Sequence, residues 1–338
     1  MQPQSNYPLR KLNTFGMEVS ARYFAHAGSI GEIRELILDP RFNSLDQIIL
    51  GGGSNMLLSR DINGLVLKND IRGIRKIRED DQYAWIQAGA GEPWHPLVRH
   101  TIGLGLSGLE NLSLIPGNTG AAPMQNIGAY GVELKDVFVE LEALDRSDGS
   151  LVRFGAGDCA FGYRDSIFKG SLKDRYIIVT VTLRLSKIPE FHIEYGAITQ
   201  ELETMGISAL TTDAVSQAVM RIRSSKLPDP ARIGNAGSFF KNPLCPVSRM
   251  EELREQYPEM PVYPAGEGKA KLAAGWLIEK AGWKGYREGD AGVHPQQALV
   301  LVNYGHALGS EILGLANRIQ ASVEKQFGIT LEREVNVY

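Results

Sequence analysis

Cysteine is nearly absent. The 338-residue chain has two, Cys159 and Cys245, too few for a disulfide framework and without metal-ligand spacing. Its six histidines are scattered, with no His-Glu-x-x-His or related pattern, so a metal hydrolase has no support. No apolar run approaches the roughly 18 residues that span a bilayer, and residues 1–13 hold no apolar signal core. A cytoplasmic protein without a membrane partner is therefore expected. Basic charge is not in excess either: the formal net charge is −3 with the signs well mixed, which argues against a nucleic-acid partner while leaving room for local basic pockets. Internal repeats and low-complexity tracts are lacking. What is present is 43% apolar content and length for two or three domains with real cores. Small-molecule partners and a monomer are expected.

The first half reads as α+β with many short strands. Ser29 and Glu32 form a capping box for a helix with Ile30, Ile33, Leu36 and Ile37 on one face, stopped at Asp39-Pro40. Strands are predicted over residues 47–50, 65–67, 83–87, 141–144 and 176–185, each β-branched or alternating between Gly or Asp turns. Beyond Lys187-Ile188-Pro189 the texture changes. Thr212 is expected to cap a helix bearing Val215, Val219 and Ile222, which ends at Leu227-Pro228-Asp229-Pro230. Residues 269–281 and 310–327 read as helices, the second stopped by Gly328, and 298–302 as a buried strand between them.

Two glycine loops carry the chemistry. Gly51, Gly52 and Gly53, continuing into Ser54, Asn55 and Met56, follow an apolar strand; consecutive glycines let several N–H groups converge on an anion, which suits a pyrophosphate. The second loop runs from Pro116 and Gly117 through Thr119 and Gly120 to Gln125, Asn126, Gly128, Tyr130 and Gly131. Its two amides are able to read an imide or ribose edge, and with two cradles in one half a phosphate-bearing cofactor outweighs a pair of ordinary surface loops. A dinucleotide fingerprint is absent at the first loop, where Met56 holds the third glycine position. The perfect match at Gly103-x-Gly105-x-x-Gly108 follows a helical segment, Trp94 to Ile102, not a strand, and reads as a turn-rich linker.

Three other places are weighed. Arg164, in Tyr163-Arg164-Asp165-Ser166, is by default a surface ion pair; its planar fork would also hold a carboxylate or enolate. Ser238 sits in a tight turn before Phe239-Phe240, with no glycine two residues on, so it is not a nucleophile elbow. Glu332 and Glu334 alternate with Leu331 and Val335 and share a face whose partner the spacing does not name.

Taken together, residues 13–16 (Asn-Thr-Phe-Gly), 51–57, 116–131, 163–166, 226–230, 234–243 and 292–295 closely resemble, in order and over nearly the whole chain, the UDP-N-acetylenolpyruvoylglucosamine reductase (UDP-N-acetylmuramate dehydrogenase) family. The resemblance implies a vanillyl-alcohol-oxidase/PCMH-type FAD-binding domain over residues 17–188 and a smaller α+β substrate-binding domain over 211–330. Residues 331–338 would return to the active site. It implies FAD and NADPH as cofactors and UDP-N-acetylglucosamine enolpyruvate as substrate, reduced for peptidoglycan precursor synthesis. Carried over by motif, Arg164, Ser238 and Glu334 would be catalytic: Arg164 and Glu334 would stabilise an enolate-like state, and Ser238 would protonate its carbon. Tyr195 matches the substrate-covering tyrosine of the branch with an extra lid loop, and Lys226, Asn242 and one of Gln296 and Gln297, here taken as Gln297, match positions that hold the UDP diphosphate and sugar. The family usually reads Glu-Pro-Glu-Val-Arg near its end. This chain reads Glu332-Arg333-Glu334-Val335-Asn336, so Glu334 is chosen over Glu332 by register, without the usual arginine.

Two other readings compete. A flavin-dependent oxidase would place a histidine or cysteine for covalent attachment near the first loop, and none lies beside residues 51–57. A non-catalytic nucleotide-sugar binder would not need Arg164, Ser238 and Glu334 together, and would not be yellow.

Overall fold

The computed structural model describes residues 2–194, 197–266 and 268–338. Contacts divide the chain into two units: Met1–Tyr7, Ala21–Gly53 and Ile62–Ser225 in one, Pro8–Ser20, Ser54–Asp61 and Lys226–Tyr338 in the other. Both mix helix and strand, so the class is α+β. No described helix is long and apolar enough to cross a membrane.

In the first unit a four-stranded sheet is ordered Gln4–Pro8, Ser20–Ala27, Ile62–Asn69, Asp46–Leu50. Its last three strands are parallel, and the central one is nearly continuously apolar and buried, as a strand covered on both faces must be. The helix Ile30–Ile37 forms where its cap was read: the Glu32 N–H donates to the Ser29 hydroxyl at 3.2 Å, while the Glu32 carboxylate accepts from the Gly28 N–H. A five-stranded antiparallel sheet is ordered Leu151–Gly155, Phe138–Asp145, Tyr176–Ser186, Tyr83–Gly89, Ile74–Glu79. Its central strand serves two cores. Ile177 and Val179 pack with Ile33, Leu36 and Leu65, whereas Ile178, Val181, Leu183 and Leu185 pack with Trp94, Leu97 and Leu141. Each such side chain contributes about 1.5–3 kcal/mol by leaving water. A third cluster joins the helices Ile198–Thr204 and Thr212–Lys226 through Ile198, Leu202, Val215 and Val219.

The second unit has an antiparallel sheet, Gly234–Ser238, Val300–Asn303, Ala291–Val293, Arg287–Glu288, and a three-stranded one, Leu244–Pro246, Lys269–Leu272, Val262–Pro264. Helix Gly309–Phe327 ends in left-handed Gly328 (φ 63°), as read.

Three readings are corrected. Thr211, not Thr212, caps the helix Thr212–Lys226: its hydroxyl accepts from the Ala214 N–H at 3.0 Å. Two adjacent threonines offer the same cap, and only the backbone chooses. Residues 269–281 are not one helix, because Lys269–Leu272 pairs on both sides as a strand and the helix is Ala274–Lys280; tertiary pairing overrides the helical propensity of Lys-Ala-Lys-Leu. The contacts also group Thr212–Lys226 almost entirely with the first unit, although the substrate-binding domain was expected to begin at 211.

Two glycines of helix Gly309–Phe327 make a stability test. A Cβ on Gly309 would lie 2.1 Å from the Leu58 carbonyl oxygen and 2.7 Å from the Ser59 Cα, whereas one on Gly314 meets nothing within 4 Å. Gly309→Ala is expected to destabilise by about 1–3 kcal/mol or more through backbone overpacking. Gly314→Ala should stabilise by roughly 0.5–1 kcal/mol through helix propensity. Denaturant unfolding of the two variants checks both signs.

Candidate active site

The glycine loops come together within the first unit. A Cβ on Gly52 would stand 2.8 Å from the Gly117 Cα and 3.1 Å from the Asn118 side-chain oxygen, so the two backbones approach as only glycines permit. Gly53 and Gly117 adopt left-handed angles (φ 64° and 106°), and the Lys68 ammonium donates to the Gly51 carbonyl at 2.9 Å. The second loop is tied to the segment before helix Trp94–Gly103: Trp94 N–H donates to Gly117 O at 2.9 Å and Thr119 N–H to Glu92 O at 2.8 Å. The Asn118 amide reaches Gly91 O at 3.0 Å. At Gly120 a Cβ would collide with that of Ala90 at 2.5 Å. This bare, anchored backbone fits a pyrophosphate-bearing group. Pro116 is exposed, and Ser54 and Asn55 are half-buried.

Left-handed non-glycine residues gather here: Leu114, Asn126, Tyr130 and Arg164 have φ of 58°, 43°, 51° and 52°. Such strain persists only where its surroundings enforce it. Asn126 is fully buried, with its amide nitrogen donating to the Glu133 carboxylate and Gly162 O and its oxygen accepting from the Lys135 N–H, all at 3.0 Å. Its side chain is thus committed to the protein, which corrects the reading of two ligand-reading amides; Gln125 remains half-buried beside it. Arg164 donates to the Gly128 carbonyl, and a Cβ on Gly128 would lie 2.9 Å from its guanidinium, so this glycine makes room for the arginine. Gly131, left-handed at φ 83°, follows Tyr130.

Arg223, which the sequence reading passed over, belongs with this group. It lies half-buried on the helix Thr212–Lys226 and donates to the Leu114 carbonyl at 3.3 Å. Burial draws its pKa below the ordinary guanidinium value, Tyr130 opposes that, and the like charge of Arg164 adds to it. Two guanidiniums acting on each other beside the half-buried Tyr130 suit an anion. The signal was present: position 223 continues the apolar i, i+4 stripe from Val215 and Val219, where a cation is out of place.

Within the second unit, Ser238 and Glu334 come from neighbouring segments. Ser238 ends its strand opposite Val300 after a bulge, with Gly237 left-handed at φ 70° and its N–H held by the Asn235 side chain at 2.9 Å. Asn235 N–H in turn donates to Thr14 O at 3.0 Å, which explains the motif at residues 13–16. Glu334 N–H donates to Phe239 O at 2.9 Å, and Phe240 bridges Arg333. Asn336–Val337 pairs in parallel with Met56–Leu57, and the Asn55 amide donates to Glu334 O at 3.4 Å. Asn336 donates from its side chain to Asn55 O at 3.1 Å. The two glutamates differ. Glu332 pairs with the Lys241 ammonium and is 72% exposed, whereas Glu334 is half-buried.

Asn242 and Gln297 both lie near the start of one short helix. The Asn242 oxygen accepts from Ala274 N–H at 2.9 Å, and the Gln297 Oε1 stands 3.3 Å from where a Gly275 Cβ would be, so both lie at the start of helix Ala274–Lys280. Lys226 is exposed at its helix end, and Tyr195 lies outside the described residues.

Residues 21–155 match a family described as an FAD binding domain, and residues 229–338 match the UDP-N-acetylenolpyruvoylglucosamine reductase C-terminal domain. The UDP-N-acetylenolpyruvoylglucosamine reductase of Pseudomonas savastanoi pv. phaseolicola is 54% identical over 100% of this chain and 99% of its own length. The chain belongs to the UDP-N-acetylenolpyruvoylglucosamine reductase family. The reductase of Amoebophilus asiaticus is 51% identical over 100% of this chain and 99% of its own. The crystal structure of the Thermus caldophilus reductase shares the fold at a TM-score of 0.69 and 24% identity, covering 100% of this chain and 99% of that one. In this reductase-family chain, both glycine loops fall inside the FAD-binding match, while Ser238, Asn242, Gln297 and Glu334 fall inside the C-terminal match.

Proposed function

We propose that the chain reduces UDP-N-acetylenolpyruvoylglucosamine to UDP-N-acetylmuramate at the expense of NADPH, in peptidoglycan precursor synthesis. The observation that carries this reading is the 54% identity that runs through both the FAD-binding and the reductase-specific regions. Residues 51–56 and 116–131 would hold FAD, which when bound would supply hydride transfer from NADPH to the enolpyruvyl methylene carbon. Hydride delivery there leaves negative charge on the neighbouring carbon and its carboxylate. Arg164 opposes that charge with a preoriented fork, supported by its anchor on Gly128. Glu334, as an acid or sharing a proton, stabilises the same state. Ser238 gives its hydroxyl proton to the carbon, which completes the addition of hydride and proton across the double bond; a carbanionic centre is basic enough to take a proton from an alcohol. Lys226, Asn242 and Gln297 hold the diphosphate and sugar, Asn242 through the amide nitrogen that its helix-capping oxygen leaves available.

The exposed ion pair of Glu332 with Lys241 supports Glu334 as the acting carboxyl. Glu334→Gln is expected to lower turnover far more than substrate affinity, because an interaction made mainly in the transition state changes the rate and leaves binding largely alone. Glu332→Gln, two residues earlier, should behave like the parent. Steady-state kcat and KM of the pair decide it, and the reverse pattern would move the assignment by one pleat.

The reading as a whole is tested by stopped-flow absorbance at the flavin band. NADPH should bleach it, and added UDP-enolpyruvyl sugar should restore it in the absence of oxygen. Restoration by oxygen alone, without response to the sugar, would favour the oxidase reading.

A further inference from the structure

Leu114 stands two residues before Pro116, where the chain enters the second glycine loop, and its left-handed backbone (φ 58°) is one that a bulky side chain rarely takes. Side chains from two helices hold it. Its N–H donates to His95 Nδ1 at 3.0 Å, from the first turn of Trp94–Gly103. Its carbonyl accepts from Arg223 Nε at 3.3 Å, from Thr212–Lys226. The residue before His95 closes the frame, because Trp94 N–H is bonded to Gly117 O at 2.9 Å. A ring nitrogen that accepts a hydrogen bond carries no proton, so the contact exists only with a neutral imidazole.

We propose that His95 is a positioning residue for FAD binding: as a neutral acceptor it pins Leu114 in the left-handed region and thereby sets the approach of the 116–120 backbone to the cofactor. This rests on the reading that the second loop holds FAD. The imidazole is surrounded accordingly. Arg99 lies one turn further along the same helix and is paired with Asp213 at 2.6 Å, and Arg223 approaches from the helix Thr212–Lys226. Burial first, then Arg99 and Arg223, push the His95 pKa below the ordinary 6.5. A histidine whose folded pKa is depressed stabilises the fold above its unfolded pKa, and the contribution is lost progressively as pH falls below about 6.5 toward the folded value. The contact is therefore in place at neutral pH and opens on the acid side.

The test titrates apoprotein with FAD between pH 5 and 8 and follows flavin fluorescence. His95→Phe, which keeps a ring and removes the acceptor, should weaken FAD binding about tenfold or more at pH 7.5, since Leu114, no longer pinned, leaves the strained left-handed region and the loop shifts with it. His95→Asn places an oxygen near the position of Nδ1; it should bind close to wild type and lack the wild-type loss of affinity at the acid end of the titration. Leu114→Gly occupies the left-handed region without strain, so adding His95→Phe in that background should cost little. The proposal is overturned if His95→Phe binds FAD as wild type does, if the asparagine variant keeps the acid limb, or if the loss is undiminished in the Leu114→Gly background. Should wild-type protein take up no FAD, the loop reading itself fails. Hydrogen exchange of the Leu114 amide in the apoprotein then decides the role of His95: faster exchange in His95→Phe upholds the clamp, and unchanged exchange removes it.

Discussion

Ser238→Ala is expected to leave the bleaching of the flavin band by NADPH nearly intact and to slow its return on addition of the UDP-enolpyruvyl sugar by roughly 10²–10⁴, the usual worth of a general acid. The fold should survive the change. Ser238 contributes its backbone to the pairing with Val300, and the bulge before it is fixed by Gly237 and the Asn235 side chain, none of which the hydroxyl supports. The two half-reactions report on different chemistry, so single-turnover absorbance traces separate them. Equal slowing of both phases would make the serine structural, and an unchanged second phase would assign the proton to another donor.

Gly52→Val should yield a folded protein that does not retain FAD. The obstruction is backbone against backbone, with the added Cβ at 2.8 Å from the Gly117 Cα and 3.2 Å from its carbonyl carbon, so no rotamer relieves it. One loop must withdraw from the other, and the converging N–H groups separate with it. Gly51→Ala is the matched control, because its Cβ meets only the Asn118 side chain, with the Cβ at an ordinary 3.7 Å. The ratio of flavin to protein absorbance after desalting, with circular dichroism to confirm folding, measures the contrast. A Gly52→Val protein carrying its full complement of flavin would overturn the two-loop cradle.

The legible parts of the fold are those governed by neighbours in sequence. The Ser29 cap, the stripe ending at Gly328 and the strands at 46–50, 83–89 and 176–186 follow from local hydrogen bonds and periodicity. Errors arose where distant segments decided between local options. Lys269–Leu272 is a strand because Leu244–Pro246 and Val262–Pro264 pair on either side of it. Asn126 reads as a ligand-facing amide until Glu133, Gly162 and Lys135 are seen to occupy both ends of its side chain.

The family and the residue types proposed for the site are legible in the chain's order alone: glycines where backbones must converge, an arginine fork, a serine, paired glutamates and the motifs that hold them in order. The long-range partners of these residues within each unit come from the tertiary fold. Glu332 and Glu334 lie on one segment, bonded through the backbone to Lys241 and Phe239, and differ in burial and partner, Glu332 being exposed and paired with Lys241 and Glu334 half-buried; the Asn336 side chain reaches a carbonyl 281 positions away. His95 and Arg223 gain their roles from one backbone unit, Leu114, that neither adjoins in sequence. Local chemistry writes which bonds a residue can make, but the partner of a long-range bond is set by how the helices and sheets pack, and that packing is a property of the whole chain.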